Sequence, residues 1–180
     1  SHVMDGNAVK AVAVLQPRLE KAEQEMGRRS ALAAMLAGPL AAAFMLRGEH
    51  EQALATLADR LDVIERIGMP DSTMLAYRTL AAIAMRRGEE AHALEILAAL
   101  YEFGVARKQP RVLVVSLAEQ VRAHSLRGRV ETASGLLLQL DALRPIFEES
   151  AHAPFLWLFK RTRVVANAYA QLAKFNLEGA

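Results

Sequence analysis

The chain contains no cysteine. Disulfides, thiolate nucleophiles and cysteine-held metals are therefore excluded, and the absence suits a cytoplasmic protein. Aromatic residues make up only 6% of the chain. Alanine and leucine dominate while valine, isoleucine and threonine are sparse, a balance that favours helix over sheet. Neither sign of charge prevails. The 22 basic and 20 acidic residues leave a net charge of +2, which makes no case for direct nucleic-acid contact. Long apolar spans are missing too. The longest uncharged run, Ser30 to Leu46, has 17 residues and is interrupted by Gly38-Pro39. A membrane helix needs about 20, so this run reads as a helix buried in protein. Ser1-His2 reads as the remnant of a cleaved tag. Residues 1–7 are accordingly set aside as tag or linker, and 8–180 are taken as one helical domain.

What the chain does have is a period. Arg-Gly pairs stand at Arg47-Gly48, Arg87-Gly88 and Arg127-Gly128, 40 residues apart. Each precedes a similar segment, with Ala53, Ala93 and Ala133 five residues after the glycine and Leu57, Leu97 and Leu137 four further on. A fixed period of this size signals stacked supersecondary units, here helix pairs. Such stacks usually present binding surfaces and seldom carry chemistry.

Apolar spacing gives each unit two helices. Ala53, Leu54, Leu57, Leu61 and Ile64 predict one amphipathic helix over 49–67, with Asp59, Arg60, Asp62, Glu65 and Arg66 on its polar side. Gly68 to Asp71 should end it, with Asp71 or Ser72 capping the next helix, 72–87. The same scheme predicts helices over 89–107, 112–127 and 129–143. Pro145 then ends or kinks the last of these, 148–153 forms a loop, and Pro154 opens a final helix. About eight helices are expected. The segment 11–27 resembles the second helix of a unit whose first is missing, and 176–180 the start of another. Both ends imply a fragment of a longer protein.

The string of glycine, four residues, Ala-Leu, two residues and leucine resembles the tetratricopeptide repeat. In that family a turn glycine precedes the second helix and a small alanine lets helices approach closely. The resemblance implies antiparallel helix pairs stacked in a right-handed superhelix, with a period of 40 instead of about 34. A narrower likeness lies in Leu36-Ala37-Gly38-Pro39-Leu40, Leu61 to Asp71, Tyr77-Arg78-Thr79-Leu80-Ala81 and Ser116 to Arg122. These stretches resemble the large LuxR-type transcription regulators similar to the maltose-regulon activator. There a nucleotide-binding module precedes a helical-repeat sensor and a helix-turn-helix domain follows it. The resemblance implies that this chain is the sensor, touching DNA only through another domain. Tyr77, Leu117 and Phe44 fall at its core positions.

No constellation supports catalysis. His50, His92, His124 and His152 lack metal-ligand spacing, Glu148-Glu149 reads as a solvated turn, and Ser134-Gly135 has no strand-turn-helix context. The chain is read as a non-enzyme without cofactor or metal. Basic clusters stand at Arg28-Arg29, Arg86-Arg87, Arg107-Lys108-Arg111, Arg122-Arg127-Arg129 and Lys160-Arg161-Arg163. Several lie at helix ends, where cations complement the dipole, a reading preferred over a nucleic-acid track. The expected binding face is the concave groove that the first helix of each pair lines in the tetratricopeptide family. On it the repeat places Arg78, Met85, Glu119, Arg122, Ser125 and Tyr169. Two guanidinium groups suit a carboxylate or phosphate on a small inducer or a peptide. The competing reading pairs Glu119 with Arg122 as a surface ion pair. Phe155, Trp157 and Phe159 either pack inward or stay exposed and join copies in a homo-oligomer.

Overall fold

The computed structural model describes residues 2–149 and 153–178, and among these it contains helices and no strand. The described residues form ten helices: α1 (His2–Met26), α2 (Ala31–Leu46), α3 (His50–Leu57), α4 (Leu61–Ile67), α5 (Pro70–Arg86), α6 (Glu90–Ala106), α7 (Pro110–Leu126), α8 (Val130–Ala142), α9 (Arg144–Glu148) and α10 (Ala153–Glu178). They divide into two compact units, residues 1–96 and 97–180.

The 40-residue period is written into the backbone. Gly48, Gly88 and Gly128 adopt φ of 78°, 78° and 69°. Each glycine N–H donates to a carbonyl three residues back, and the following N–H to one five back. The pairs are Gly48 to Met45 with Glu49 to Phe44, Gly88 to Met85 with Glu89 to Ala84, and Gly128 to Ser125 with Arg129 to His124, all at 2.9–3.2 Å. This is the Schellman motif, in which a left-handed residue satisfies the last carbonyls of a helix. The alanine that follows each turn is buried in every case: Ala53, Ala93 and Ala133.

In the first unit α2 is the central element, packed against α1, α3, α4 and α5. That surrounding explains a helix apolar on every side. Ala33, Ala34, Ala37, Leu40, Ala41 and Phe44 of α2 join Val12, Leu19, Leu57, Val63, Ile64 and Ile83 in one core. Ser30 caps α2, its hydroxyl accepting from the Ala33 N–H. Pro39 sits inside α2 and has no N–H to give the Met35 carbonyl. The hydroxyl of Ser72 on α5 approaches that carbonyl at 3.3 Å and the Ala34 carbonyl at 3.4 Å. Gly38 makes the approach feasible, because a Cβ there would lie 2.4 Å from the Ser72 carbonyl oxygen. Gly38-Pro39 is thus a notch that receives the first turn of α5.

Two expectations for this unit are corrected. The amphipathic helix over 49–67 is broken: α3 ends at Leu57, Asp59 takes a left-handed φ of 58°, and α4 starts at Leu61. The break turns Arg60 from the expected polar side into the interior, where it is fully buried. Neither Asp71 nor Ser72 caps α5. Met69 holds the cap position without a side-chain bond, Pro70 occupies the first turn, and Ser72 faces α2 instead.

In the second unit α7 packs against both α8 and α10, and α10 also touches α8 and α9. Val114, Leu117, Val121, Ala133, Leu140, Phe147, Phe159, Ala166 and Ala170 form its core. Phe147 and Phe159 stack with centroids 5.1 Å apart. The Ser116 hydroxyl donates to the Leu97 carbonyl of α6 at 2.7 Å and accepts from the Gln120 amide at 3.1 Å. Pro145 lies in the first turn of α9, and Pro154 lies in the first turn of α10 as expected. The expected loop at 148–153 is shorter at both ends, since α9 reaches Glu148 and α10 starts at Ala153; residues 150–152 lie outside the described residues. Asn176 does not begin a new helix. It belongs to α10, which continues to Glu178 because nothing in the sequence from Pro154 to Glu178 breaks it.

Candidate binding surfaces

The six residues expected to line a groove fall on three helices. Arg78 is exposed on α5 and Met85 half-buried near its end. Both belong to the first unit. Glu119, Arg122 and Ser125 lie on α7 and Tyr169, half-buried, on α10, all in the second unit. Within the second unit Arg122 and Glu119 are in contact. Arg122 Nε donates to Glu119 Oε2 at 3.0 Å, one turn apart and partly solvated. That geometry matches the local ion-pair reading, and pairs of this kind contribute little to stability. Ser125 is buried, and its hydroxyl oxygen has no hydrogen-bond partner.

The residues expected in the core are there. Phe44, Tyr77 and Leu117 are all buried. The Tyr77 hydroxyl donates to the Glu65 carboxylate. Burial, and then this acceptor, push the Tyr77 phenol well above its ordinary value, so it stays neutral. The three aromatic residues of α10 divide. Phe159 is in the core and Phe155 half-buried, whereas Trp157 is 60% exposed with the Arg161 guanidinium 5.2 Å above its ring. With Trp157, Val164, Val165, Leu172 and Phe175 form an exposed apolar stripe along α10.

A cluster that sequence reasoning missed lies in the first unit. Arg60, fully buried, donates through Nη2 to Glu23 of α1, while its Nε and Nη1 have no partner. Around it the two arginines after α1 hold the α3–α4 break. Arg28 donates to the Ala55 and Ala58 carbonyls at 2.7 and 3.0 Å. Arg29 donates to the Asp59 carbonyl and, at 2.6 Å, to Asp62. This hydrogen bond holds the Asp62 carboxyl below its ordinary value. The Arg28-Arg29 pair, read as dipole compensation, thus serves as a clamp on free carbonyls. Nothing local to Arg60 signals its burial, because its partner is in another helix. Next to the clamp, a cavity of about 240 Å³ is walled by Gln16, Glu20, Glu23, Arg28, Gln52 and Thr56 with apolar residues behind.

In the second unit Asp141 accepts from Arg163 at 2.8 and 3.1 Å. These bonds hold the Asp141 carboxyl below the ordinary carboxylate range. Among the described residues His92 lies 3.7 Å from Glu95, His124 lies 3.5 Å from Arg129, and the Nε2 of His50 is buried without a partner. His152 lies outside the described residues. Among the described residues no group of three or more His, Asp or Glu is placed to hold a metal ion, and no helix is long and apolar enough to cross a membrane. No protein-family model, curated protein or solved structure matches the chain.

Proposed function

We propose that this chain is the ligand- or partner-sensing helical-repeat segment of a cytoplasmic LuxR-type transcription regulator similar to the maltose-regulon activator. Its helix pairs are tetratricopeptide-like and wind into a right-handed superhelix. The segment is non-catalytic and meets DNA only through a separate helix-turn-helix domain. The observation that carries this reading is the thrice-repeated Schellman turn at a 40-residue interval, each followed by a buried alanine. Regular repetition of one supersecondary unit builds a surface for recognition. Arg78 in the first unit and, independently, Arg122 in the second each offer a guanidinium group to an anionic inducer or peptide, with Glu119 orienting Arg122.

A second reading, a general scaffold for protein partners, rests on the apolar stripe of α10. Trp157, Val164, Leu172 and Phe175 recur at helical spacing on an exposed face, the pattern by which a partner helix is recognised.

The parent coding region decides between them. A helix-turn-helix downstream of Ala180 and a phosphate-binding loop upstream support the regulator. Unrelated flanking domains overturn it and direct attention to the α10 stripe. Combined Arg78→Ala and Arg122→Ala should then leave the fold intact while abolishing ligand binding. Unchanged binding removes those residues from the site.

A further inference from the structure

We infer that the exposed face of α10 docks an amphipathic helix whose apolar stripe is flanked by glutamate or aspartate. The inference rests on the second reading, a scaffold for protein partners, and names the partner's chemistry. α10 is apolar on two opposite faces. Phe159, Ala166, Ala170 and Ala173 are buried, and the helix packs on α7, α8 and α9. At 3.6 residues per turn, Trp157, Val164, Val165, Leu172 and Phe175 point the other way, and all five are more than half exposed. A contiguous apolar stripe open to water marks an interaction site. The 18 residues from Trp157 to Phe175 rise about 27 Å, room for a partner helix of about five turns.

Charge selects the occupant. Between Pro154 and Leu177 the sequence has four basic residues, Lys160, Arg161, Arg163 and Lys174, and no acidic one. Arg163 is turned to Asp141. Lys160 is exposed and Lys174 half-buried, and by helical position both flank the stripe on one side. Arg161 is exposed inside the stripe, one turn after Trp157, with its guanidinium 5.2 Å from the ring centroid. A partner that covers Trp157 also takes water from Arg161, and a charge covered without a counter-charge is costly. A carboxylate on the partner meets the guanidinium fork and offsets that cost. A second copy of the chain brings the same basic residues to the face and no carboxylate from this stretch of α10. A lipid surface suits cations on the polar side of a helix, whereas Arg161 stands within the apolar side, where hydrocarbon gives it no acceptor. Trp and Arg are also the residue types that dominate docking energies.

Trp157 is the single tryptophan of the chain, so its emission reports on this face alone. The full chain is titrated with synthetic helical peptides of about 20 residues. One has leucine at every third and fourth position with glutamate on both flanks. A second has lysine for glutamate, and a third is a scrambled form of the first. Phosphatidylserine vesicles are the fourth titrant, and sedimentation of the chain alone gives its oligomeric state. The glutamate peptide should shift Trp157 emission to the blue and bind about tenfold or more tighter than the other two. Lys160→Glu combined with Arg161→Glu should reverse the preference between glutamate and lysine peptides. Phe175→Ser should weaken the glutamate peptide about tenfold or more. Circular dichroism checks that the variants fold, and if the double variant does not, the order of the three peptides decides. Equal binding of the glutamate and lysine peptides overturns the acidic partner and leaves the scaffold reading standing. Binding by none of the peptides overturns both. A dimer that already covers Trp157, vesicles bound in preference to the glutamate peptide, or binding unchanged by Phe175→Ser overturns the inference.

Discussion

The guanidinium of Arg60 is buried against the carboxylate of Glu23, 37 residues earlier in the chain. This pair ties α1 to the break between α3 and α4. Removing the carboxylate strands a fully buried charge, whereas removing Arg60 leaves Glu23 within reach of water and of Arg28 at 3.4 Å. Glu23 is 28% exposed, so water reaches it in part. Glu23→Ala should therefore cost about 3 kcal/mol, the low end for a stranded buried charge. Arg60→Met should be close to neutral or stabilising, since two of the guanidinium nitrogens have no acceptor to lose. Urea denaturation of both variants checks this. Equal losses would show that Arg60 is held by more than Glu23.

Gly38 and Gly135 both lie inside helices and should respond oppositely to alanine. Alanine ordinarily gains about 1 kcal/mol over glycine within a helix. At Gly135 the new methyl meets nothing within 4 Å, so Gly135→Ala should stabilise by about 0.5–1 kcal/mol. At Gly38 it would press on the Ser72 carbonyl, and Gly38→Ala should destabilise by about 1–3 kcal/mol through overpacking. Thermal melts of the two variants read out the sign directly.

Lys108 occupies the left-handed position of a fourth Schellman turn. Its φ is 52°, and the Lys108 and Gln109 N–H groups donate to Val105 and Gly104 at 3.1 and 2.8 Å. A side chain in this conformation costs about 1–2 kcal/mol. Lys108→Gly should recover about 1 kcal/mol of that, since glycine also gains entropy in the unfolded chain. No change in the denaturation midpoint would mean that the lysine side chain compensates through contacts of its own.

Asp141 gives the second unit a dependence on pH. Its bonds to Arg163 hold the folded carboxyl below the ordinary value of 3.8. A carboxyl depressed in this way stabilises the fold above the unfolded value, and the contribution vanishes as pH falls through the folded value. Asp141→Asn should therefore lower stability near neutral pH and converge with the unmodified chain once the pH falls well below 3.8. Denaturation midpoints across that range test the convergence. A constant gap down to the lowest pH would show that the pair acts through geometry and not charge.

The alanines after the repeated turns were legible because a tight approach leaves a local mark, a small residue at a fixed distance from a glycine. Ala53 and Ala93 have no exposed surface at all, so Ala53→Leu should destabilise by about 1–3 kcal/mol. A neutral result in urea denaturation would mean that this position has slack. The candidate site was less legible. Arg122 and Glu119 could be paired from their spacing alone, because one helical turn brings them together. The cavity that Arg111, Ile146 and Phe155 line at the start of α7 could not be foreseen, since the three come from three helices and share no sequence pattern.

The sequence by itself determined the helical class, the 40-residue period and the turns that express it. Helix endings are local: a left-handed glycine and two hydrogen bonds within six residues suffice. Only the tertiary structure decided where the periodic pattern is broken. The turn at Asp59, the inward swing of Arg60 and the seating of Ser72 over Pro39 each depend on a partner in another helix. An isolated helix over 49–67 would keep Arg60 in water. The loop carbonyls held by Arg28 and Arg29, and the carboxylate of Glu23, make the bent path the stable one.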